Sequence, residues 1–120
     1  MAARVLYAED DEGSRELVAT ALRDAGYAVD TARDGGGALA LLEGESYDLV
    51  LLDIRMPGMG GIDVLRHIRQ KNLQPRVIML TAVDELSVAI ECVKLGANDY
   101  LTKPFRLEDL HEAVARVLQR

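Results

Sequence analysis

Short apolar runs alternate along the chain with longer stretches in which apolar residues recur every three or four positions. The runs predict buried strands and the recurring positions predict helices. Because parallel strands need crossover connections, repeated strand–helix order predicts one parallel sheet with helices on both faces. The five predicted strands are Val5–Ala8, Ala28–Thr31, Leu49–Leu52, Val77–Leu80 and Asp99–Leu101.

A helical pattern follows each predicted strand, and its apolar stripe should face the sheet. In chain order the stripes are Leu17, Val18, Ala21, Leu22 and Ala25; Ala38, Leu39, Leu41 and Leu42; Ile62, Val64, Leu65 and Ile68; Leu86, Ala89, Ile90 and Val93; and Leu107, Leu110, Val114, Val117 and Leu118.

The fourth helix carries a second apolar stripe on roughly the opposite side, formed by Val88, Cys92 and Leu95. A surface helix normally has one such stripe, so the second predicts a surface for a partner or a second copy. The alternatives are a different helix boundary or ordinary scattered surface hydrophobes.

Asp53 ends the apolar run of the third strand, and the turn-rich residues 54–58 follow it. In open α/β sheets, ligands bind at the carboxyl ends of the strands. Glu9 and Asp10 follow the first strand, so they should meet Asp53 there. Clustered carboxylates at a partly open site suit Mg²⁺, although acids beside a helix start also occur without metal.

Thr81 and Lys103 stand at the same edge, each directly after or near the end of its strand. A threonine there is ordinarily a cap, and a lysine is ordinarily solvated. Together, a hydroxyl and an ammonium beside clustered carboxylates are what phosphoryl oxygens need around them.

Chain length, net charge and cysteine count exclude several classes of function. The chain has 120 residues and predicts a single domain over 1–120, and its net charge of -6 argues against direct nucleic-acid contact. The sequence has no apolar run long enough for a membrane span, and its single cysteine cannot form an intrachain disulfide. The expected location is cytoplasmic.

Five motifs resemble the receiver domain of two-component response regulators, and the resemblance covers essentially the whole chain. They are VLYAEDD, DGGGALALL, LVLLDIRMPGMGGIDVLRHIR, VIMLTA and GANDYLTKPF. The resemblance implies a flavodoxin-like, doubly wound α/β fold with five parallel strands in the order 2-1-3-4-5 and five helices.

The resemblance also implies residue roles. Asp53 is the implied phosphoacceptor, and the implied ligands of Mg²⁺, or of Mn²⁺ in its place, are Glu9, Asp10, Asp53 and the backbone carbonyl of Arg55. Asp11, just beyond the acidic pair, is not assigned to the metal. Glu9 stands where an aspartate is commoner, and Gly60 replaces a frequent aspartate and loosens the loop after Asp53.

Around the phosphoryl group, the resemblance implies contacts from Thr81, from the backbone of Ala82 and from Lys103. Thr81 and Tyr100 are the implied switch pair, in which a threonine shift lets the tyrosine turn inward. An ordinary half-buried strand aromatic is the alternative for Tyr100.

The implied function is acceptance of a phosphoryl group from a sensor histidine kinase or a phosphotransfer protein. The surface of the fourth helix, fifth strand and fifth helix would then change to control an effector or a homodimer. Such a domain assists its own phosphorylation and dephosphorylation without being a turnover enzyme. The alternative is a pseudo-receiver, never phosphorylated, that acts as a protein-interaction module.

Two other classes fit less well. A flavin mononucleotide module needs a phosphate-binding loop after the first strand, where acidic residues 9–12 would repel a phosphate. A hydrolase using Asp53 as a nucleophile would need a general acid two residues later, where Arg55 stands instead.

Overall fold

The strand–helix alternation is present throughout the computed structural model, which describes residues 2–119. Met1 and Arg120, the ends of the predicted domain, lie outside the described residues. The strands are β1 (Arg4–Ala8), β2 (Ala28–Ala32), β3 (Leu49–Asp53), β4 (Arg76–Ala82) and β5 (Asp99–Lys103). The helices are α1 (Glu12–Asp24), α2 (Gly35–Gly44), α3 (Gly61–Gln70), α4 (Leu86–Lys94) and α5 (Leu107–Leu118), with a 3-10 turn at Val83–Glu85 before α4.

All five strands are parallel and lie in one sheet in the order β2-β1-β3-β4-β5, which confirms the predicted topology. Strand order reverses beside β1, so a crevice opens at the carboxyl ends of β1 and β3. Several strands run one or two residues further than predicted, because polar residues at the edge still pair. Asp53, Thr81 and Lys103 are therefore strand residues with fixed backbones.

Side chains alternate along β3 between two buried cores. Val50 and Leu52 face the core under α2, α3 and α4. Leu49 and Leu51 face the core under α1 and α5. Since side chains of a strand alternate with a period of two, this pattern directs Asp53 towards the α1/α5 side.

Two predicted helix stripes need correction. On α1, Val18, Ala19 and Leu22 are buried, whereas Leu17 is 60% exposed. On α5, Leu107 is also partly exposed, at the first residue of the helix. Both leucines lie in the N-terminal half of their helices, beside the crevice, where the helix does not pack closely against the sheet.

The prediction that Val88, Cys92 and Leu95 form an exposed partner stripe on α4 is wrong, because the opposite side of the helix is the exposed one. Cys92 is fully buried and Val88 is packed against the core, so only Leu95 of that stripe has substantial exposure. The stripe predicted to face the sheet is instead largely outside, with Leu86, Ile90 and Val93 between 40% and 53% exposed. Small Ala89 and Cys92 let α4 lie close to the sheet, although the outer stripe is the more hydrophobic of the two.

No helix among residues 2–119 is both long enough and apolar enough to cross a membrane.

Candidate functional site

Three carboxylates converge at the carboxyl edge of the sheet. Glu9 follows β1, Asp10 is next to it, and Asp53 ends β3. One oxygen from each of the three lies within 4.8 Å of the others. Glu9 and Asp53 are buried and Asp10 is exposed, so the cluster opens to solvent on one side only.

Lys103 is the cation of this cluster. Its ammonium donates hydrogen bonds to Oε1 of Glu9 and Oδ2 of Asp53. On β5, Leu101 faces the α1/α5 core, and alternation sends Lys103 to the same side as Asp53. The other oxygen of Asp53, Oδ1, accepts a hydrogen bond of 3.1 Å from the backbone N–H of Arg55.

Charge is unbalanced at the cluster, because three carboxylates face one ammonium. Burial, together with the neighbouring Asp53, raises the pKa of Glu9 above its usual value despite Lys103. Burial alone would lower the pKa of Lys103, but its hydrogen bonds to Asp53 and Glu9 outweigh that effect and raise it. The pKa shift of Glu9 thus reflects its burial first and the neighbouring carboxylate second, and the pKa shift of Lys103 reflects the two carboxylates that it contacts.

This arrangement fits a hard divalent cation. The donors are oxygens, one side is open, and a further positive charge would relieve the repulsion among Glu9, Asp10 and Asp53. Asp11 does not join the cluster as a donor. It is the N-cap of α1, and its carboxylate accepts a hydrogen bond of 2.8 Å from the backbone N–H of Ser14.

Glu9 is held at both of its oxygens. The backbone N–H of Asp11 donates to Oε2 at 3.3 Å, and the hydroxyl of Tyr7 donates to Oε1 at 3.4 Å. Arg15 of α1 donates to the backbone carbonyl of Glu9 at 2.9 Å. Sequence reasoning treated Tyr7 only as a strand residue. The available signal was its spacing, since residues two apart on a strand point to the same side.

Thr81 is buried on β4, and its hydroxyl is hydrogen-bonded to backbone carbonyls near the start of α4. Its oxygen lies 3.1 Å from the carbonyl of Ala82 and 3.3 Å from the carbonyl of Glu85, so the hydroxyl can donate to either. The structure thus brings Thr81 and Ala82 to the correct edge of the sheet, and leaves the hydroxyl engaged with the loop that leads to α4.

Arg55 connects the two loops that border the site. Its guanidinium forms an ion pair of 2.9 Å with Glu85 and a longer one of 3.8 Å with Asp84. The hydrogen bond to Glu85 raises the pKa of Arg55. A groove of about 600 Å³ runs past Asp10, Arg55 and Glu85 and gives solvent access to the acidic cluster.

Tyr100 lies on β5, the edge strand of the sheet, and is 38% exposed. Beyond β5, a cis Lys103–Pro104 peptide bond leads the chain towards α5. The predicted site residues therefore fall into two groups. Glu9, Asp10, Asp53 and Lys103 form the charged cluster, with the backbone N–H of Arg55 bonded to Asp53. The Thr81 hydroxyl is bonded to loop carbonyls instead, and Tyr100 is partly exposed on the edge strand.

Comparison with known families matches residues 5–115 to the response regulator receiver domain. The chain is 44% identical over 120 residues to the uncharacterized transcriptional regulatory protein YrkP of Bacillus subtilis, covering all of this chain and 51% of that protein. It is 41% identical over 117 residues to the transcriptional regulatory protein TcrA of Mycobacterium tuberculosis, covering 98% of this chain and 46% of that protein. The chain thus spans about half the length of these relatives.

Solved structures show the same fold. The receiver domain of the Francisella response regulator 1452 is 36% identical, with a TM-score of 0.92 and 98% coverage of both chains. The chemotaxis protein CheY4 of Vibrio cholerae is 34% identical, with a TM-score of 0.91, and the match covers 98% of this chain and 99% of that one.

Proposed function

The chain belongs to the response regulator receiver domain family, and from this premise we propose that phosphorylation of Asp53 controls it. The supporting observation is the contact of Asp53 with Lys103 inside a cluster of three carboxylates. A carboxylate that is oriented by its neighbours and paired with an ammonium, in a cluster open to solvent on one side, is suited to attack a phosphoryl group. We take residues 1–120 as one receiver domain, located in the cytoplasm.

In the proposed reaction, an oxygen of Asp53 attacks the phosphorus of a phosphohistidine on a sensor kinase or phosphotransfer protein. The P–N bond of the donor breaks, a P–O bond to Asp53 forms, and the imidazole leaves. The transition state is loose and spreads negative charge over the phosphoryl oxygens. Lys103 already contacts Asp53, so its ammonium can move onto one of these oxygens.

Mg²⁺, or Mn²⁺ in its place, would be held by Glu9, Asp10, Asp53 and the backbone carbonyl of Arg55. When bound, it supplies positive charge to the oxygens of the transferred group. Glu9 and Asp10 orient towards Asp53 and keep that charge beside it. The domain accepts the group once per signal, and assists its own phosphorylation and dephosphorylation without turning over a substrate.

Signal output would begin at Thr81. A phosphoryl group adds about -1.5 to -2 charge and new acceptor oxygens. The Thr81 hydroxyl, bound to loop carbonyls at rest, would donate to one of these oxygens together with the backbone of Ala82. Its movement would free space into which the partly exposed Tyr100 can turn.

The surface altered by this shift includes α4, β5 and α5. Its exposed apolar residues include Leu86, Ile90, Val93 and Tyr100. We propose that an effector or a second copy binds there, without direct nucleic-acid contact by this segment.

The test uses a small phosphodonor such as acetyl phosphate with Mg²⁺, followed by intact-mass measurement. Wild-type protein should gain one phosphoryl group, and chelation of divalent ions should prevent the gain. Asp53→Asn should gain none, whereas Asp63→Asn on the exposed face of α3 should behave as wild type.

The pseudo-receiver alternative predicts a different result. A wild-type protein that is folded, binds Mg²⁺ and still gains no phosphoryl group from small donors or from a phosphohistidine protein would favour it. Phosphorylation of Asp53→Asn to the wild-type level would reject Asp53 as the acceptor.

A further inference from the structure

Tyr7 is completely buried and is the one residue with a polar group in the buried run 5–8 of β1. Its ring lies in the core under α1 and α5, and its register partner on β3 is Leu51. A phenylalanine ring would occupy the same space in this core, so packing does not require the hydroxyl. A buried hydroxyl without a partner costs free energy, and its partner is therefore informative.

Within residues 2–119, the partner of the Tyr7 hydroxyl is Oε1 of Glu9 at 3.4 Å. The same oxygen receives the ammonium of Lys103. Tyr7, Glu9 and Lys103 also line one cavity of about 410 Å³ at the α1/α5 side of the crevice. The buried phenol thus contacts the acidic cluster through Glu9, whereas Asp10 is the exposed member of the cluster.

We propose that Tyr7 is a positioning residue, whose hydroxyl holds the Glu9 carboxylate in the orientation that faces Asp10 and Asp53. Glutamate has one more rotatable bond than aspartate, and a longer arm needs a second support to keep one geometry. The backbone N–H of Asp11 supports Oε2, and Tyr7 supports Oε1. Hydrogen bonds of this kind orient ligands at metal sites and change metal affinity when removed.

This inference deepens the proposed function and rests on it in one respect, because Glu9 must be a metal ligand. Its test is therefore metal binding itself, measured on the full chain without phosphodonor. Mn²⁺ is titrated and its free fraction followed by electron paramagnetic resonance, with Mg²⁺ measured by competition.

Tyr7→Phe keeps the ring and removes the hydroxyl. We expect it to weaken Mn²⁺ and Mg²⁺ binding about tenfold, the lower end of the range for residues that orient metal ligands. Tyr47→Phe is the matched control. Tyr47 is also buried and donates to a carboxylate, Asp30, at 2.7 Å, but it lies at the amino end of β3. Its metal affinity should equal that of wild type, and thermal melting confirms that both variants fold.

A second variant shows whether Tyr7 acts through Glu9. Glu9→Asp keeps a carboxylate ligand but shortens the arm, which withdraws it from a hydroxyl already 3.4 Å away. In that background, Tyr7→Phe should change metal affinity less than about twofold, because there is little contact left to remove.

Wild-type affinity in folded Tyr7→Phe would overturn the inference. An equal loss in the Glu9 and Glu9→Asp backgrounds would also overturn it, because Tyr7 would then act by another route. Failure of Asp53 phosphorylation in wild type would contradict the proposed function alone, since the Tyr7 result is judged on metal affinity.

Discussion

Glu9 is the residue at which burial and charge conflict most directly. It is 1% exposed, it faces Asp53, and its pKa is raised by burial and by that neighbour. A carboxyl group whose pKa is higher in the folded than in the unfolded protein favours folding when protonated. Its contribution is fully present below the unfolded value near 4.5 and is lost as pH rises through the folded value.

We therefore predict that Glu9→Gln, without divalent ions, is more stable than wild type at pH 7. Its advantage should shrink as the pH falls towards 4.5, because wild-type Glu9 then becomes protonated. Urea unfolding at several pH values measures the difference. A difference in unfolding free energy that stays constant across this pH range would contradict the idea that ionised Glu9 destabilises the folded protein.

Addition of Mg²⁺ should reverse the order of the two proteins. A ligand that binds only the folded state stabilises it by an amount that grows with the logarithm of the ratio of ligand concentration to Kd, and wild type should bind the ion more tightly than Glu9→Gln. Equal stabilisation of both proteins by Mg²⁺ would argue that Glu9 is not a ligand.

The site residues were predictable from sequence to different degrees. Asp53, Glu9 and Lys103 could be placed together because each ends a parallel strand or directly follows one, and such ends share an edge. The ion pair between Arg55 and Glu85 could not be predicted, because it depends on how side chains reach between neighbouring loops, which periodicity does not encode. The contact of Tyr7 with Glu9 had one signal in the sequence, their spacing of two residues.

At the scale of elements, α4 is where the hydrophobic pattern misled. Both of its stripes are apolar, and periodicity cannot rank them. Cys92 and Ala89 face the sheet because their small size permits close approach, while Ile90 and Val93 remain at the surface.

This orientation predicts that two serine substitutions on α4 change the free energy of unfolding by different amounts. Cys92→Ser places an unneeded hydroxyl in the core and should cost about 1–3 kcal/mol of unfolding free energy. Ile90→Ser, on the exposed stripe, should change it by no more than about 0.5 kcal/mol. Denaturant unfolding of the two variants measures both effects, and a larger loss for Ile90→Ser would restore the reverse orientation.

Cys92 also supplies a chemical test of this orientation. Burial raises the pKa of its thiol, so the reactive thiolate is scarce in the folded protein. A thiol reagent should react slowly in buffer and rapidly in denaturant. Rapid reaction with the folded protein would place Cys92 outside the core.

The first residue of α3, Gly61, lies against the backbone of Asp53. A Cβ atom on Gly61 would lie 2.3 Å from the Asp53 carbonyl oxygen, a distance that requires the backbone to shift. By contrast, a Cβ on Gly44, the last residue of α2, would meet nothing within 4 Å.

Gly61→Ala should therefore lower the free energy of unfolding by about 1–3 kcal/mol and displace the site. Gly44→Ala is the control and should raise it by about 0.4–1 kcal/mol, since alanine restricts the unfolded chain. Chemical denaturation gives both values, and Mn²⁺ titration shows whether Gly61→Ala also weakens the metal site. Unchanged stability and metal affinity in Gly61→Ala would contradict the tight contact.

For the whole molecule, the sheet topology could be predicted from the sequence because the strand–helix pattern repeats five times. Apolar runs such as 49–52 and 77–80 have no polar face, which indicates strands covered on both sides. The ends of the strands were harder to predict. Asp53 and Lys103 are polar but still pair with the neighbouring strand, so the apolar run ends before the strand does.

The three-dimensional arrangement also explains why Lys103 and Thr81 differ at rest. Alternation places Lys103 on the α1/α5 side with Glu9 and Asp53, and places Thr81 on the side of α4. The Lys103 ammonium thus already contacts Asp53, the proposed acceptor, while the Thr81 hydroxyl is bonded to the loop that it would have to leave. A whole-domain change can then follow from one short movement at β4.

The central claim is that Asp53 receives a phosphoryl group, and reductive trapping tests it most directly. Protein treated with acetyl phosphate and Mg²⁺ is reduced with borohydride, which converts an aspartyl phosphate to homoserine, and is then sequenced by tandem mass spectrometry. We predict homoserine at position 53 and at no other acidic position. Homoserine at position 10 or 11, or a phosphorylated protein with aspartate retained at 53, would contradict the account.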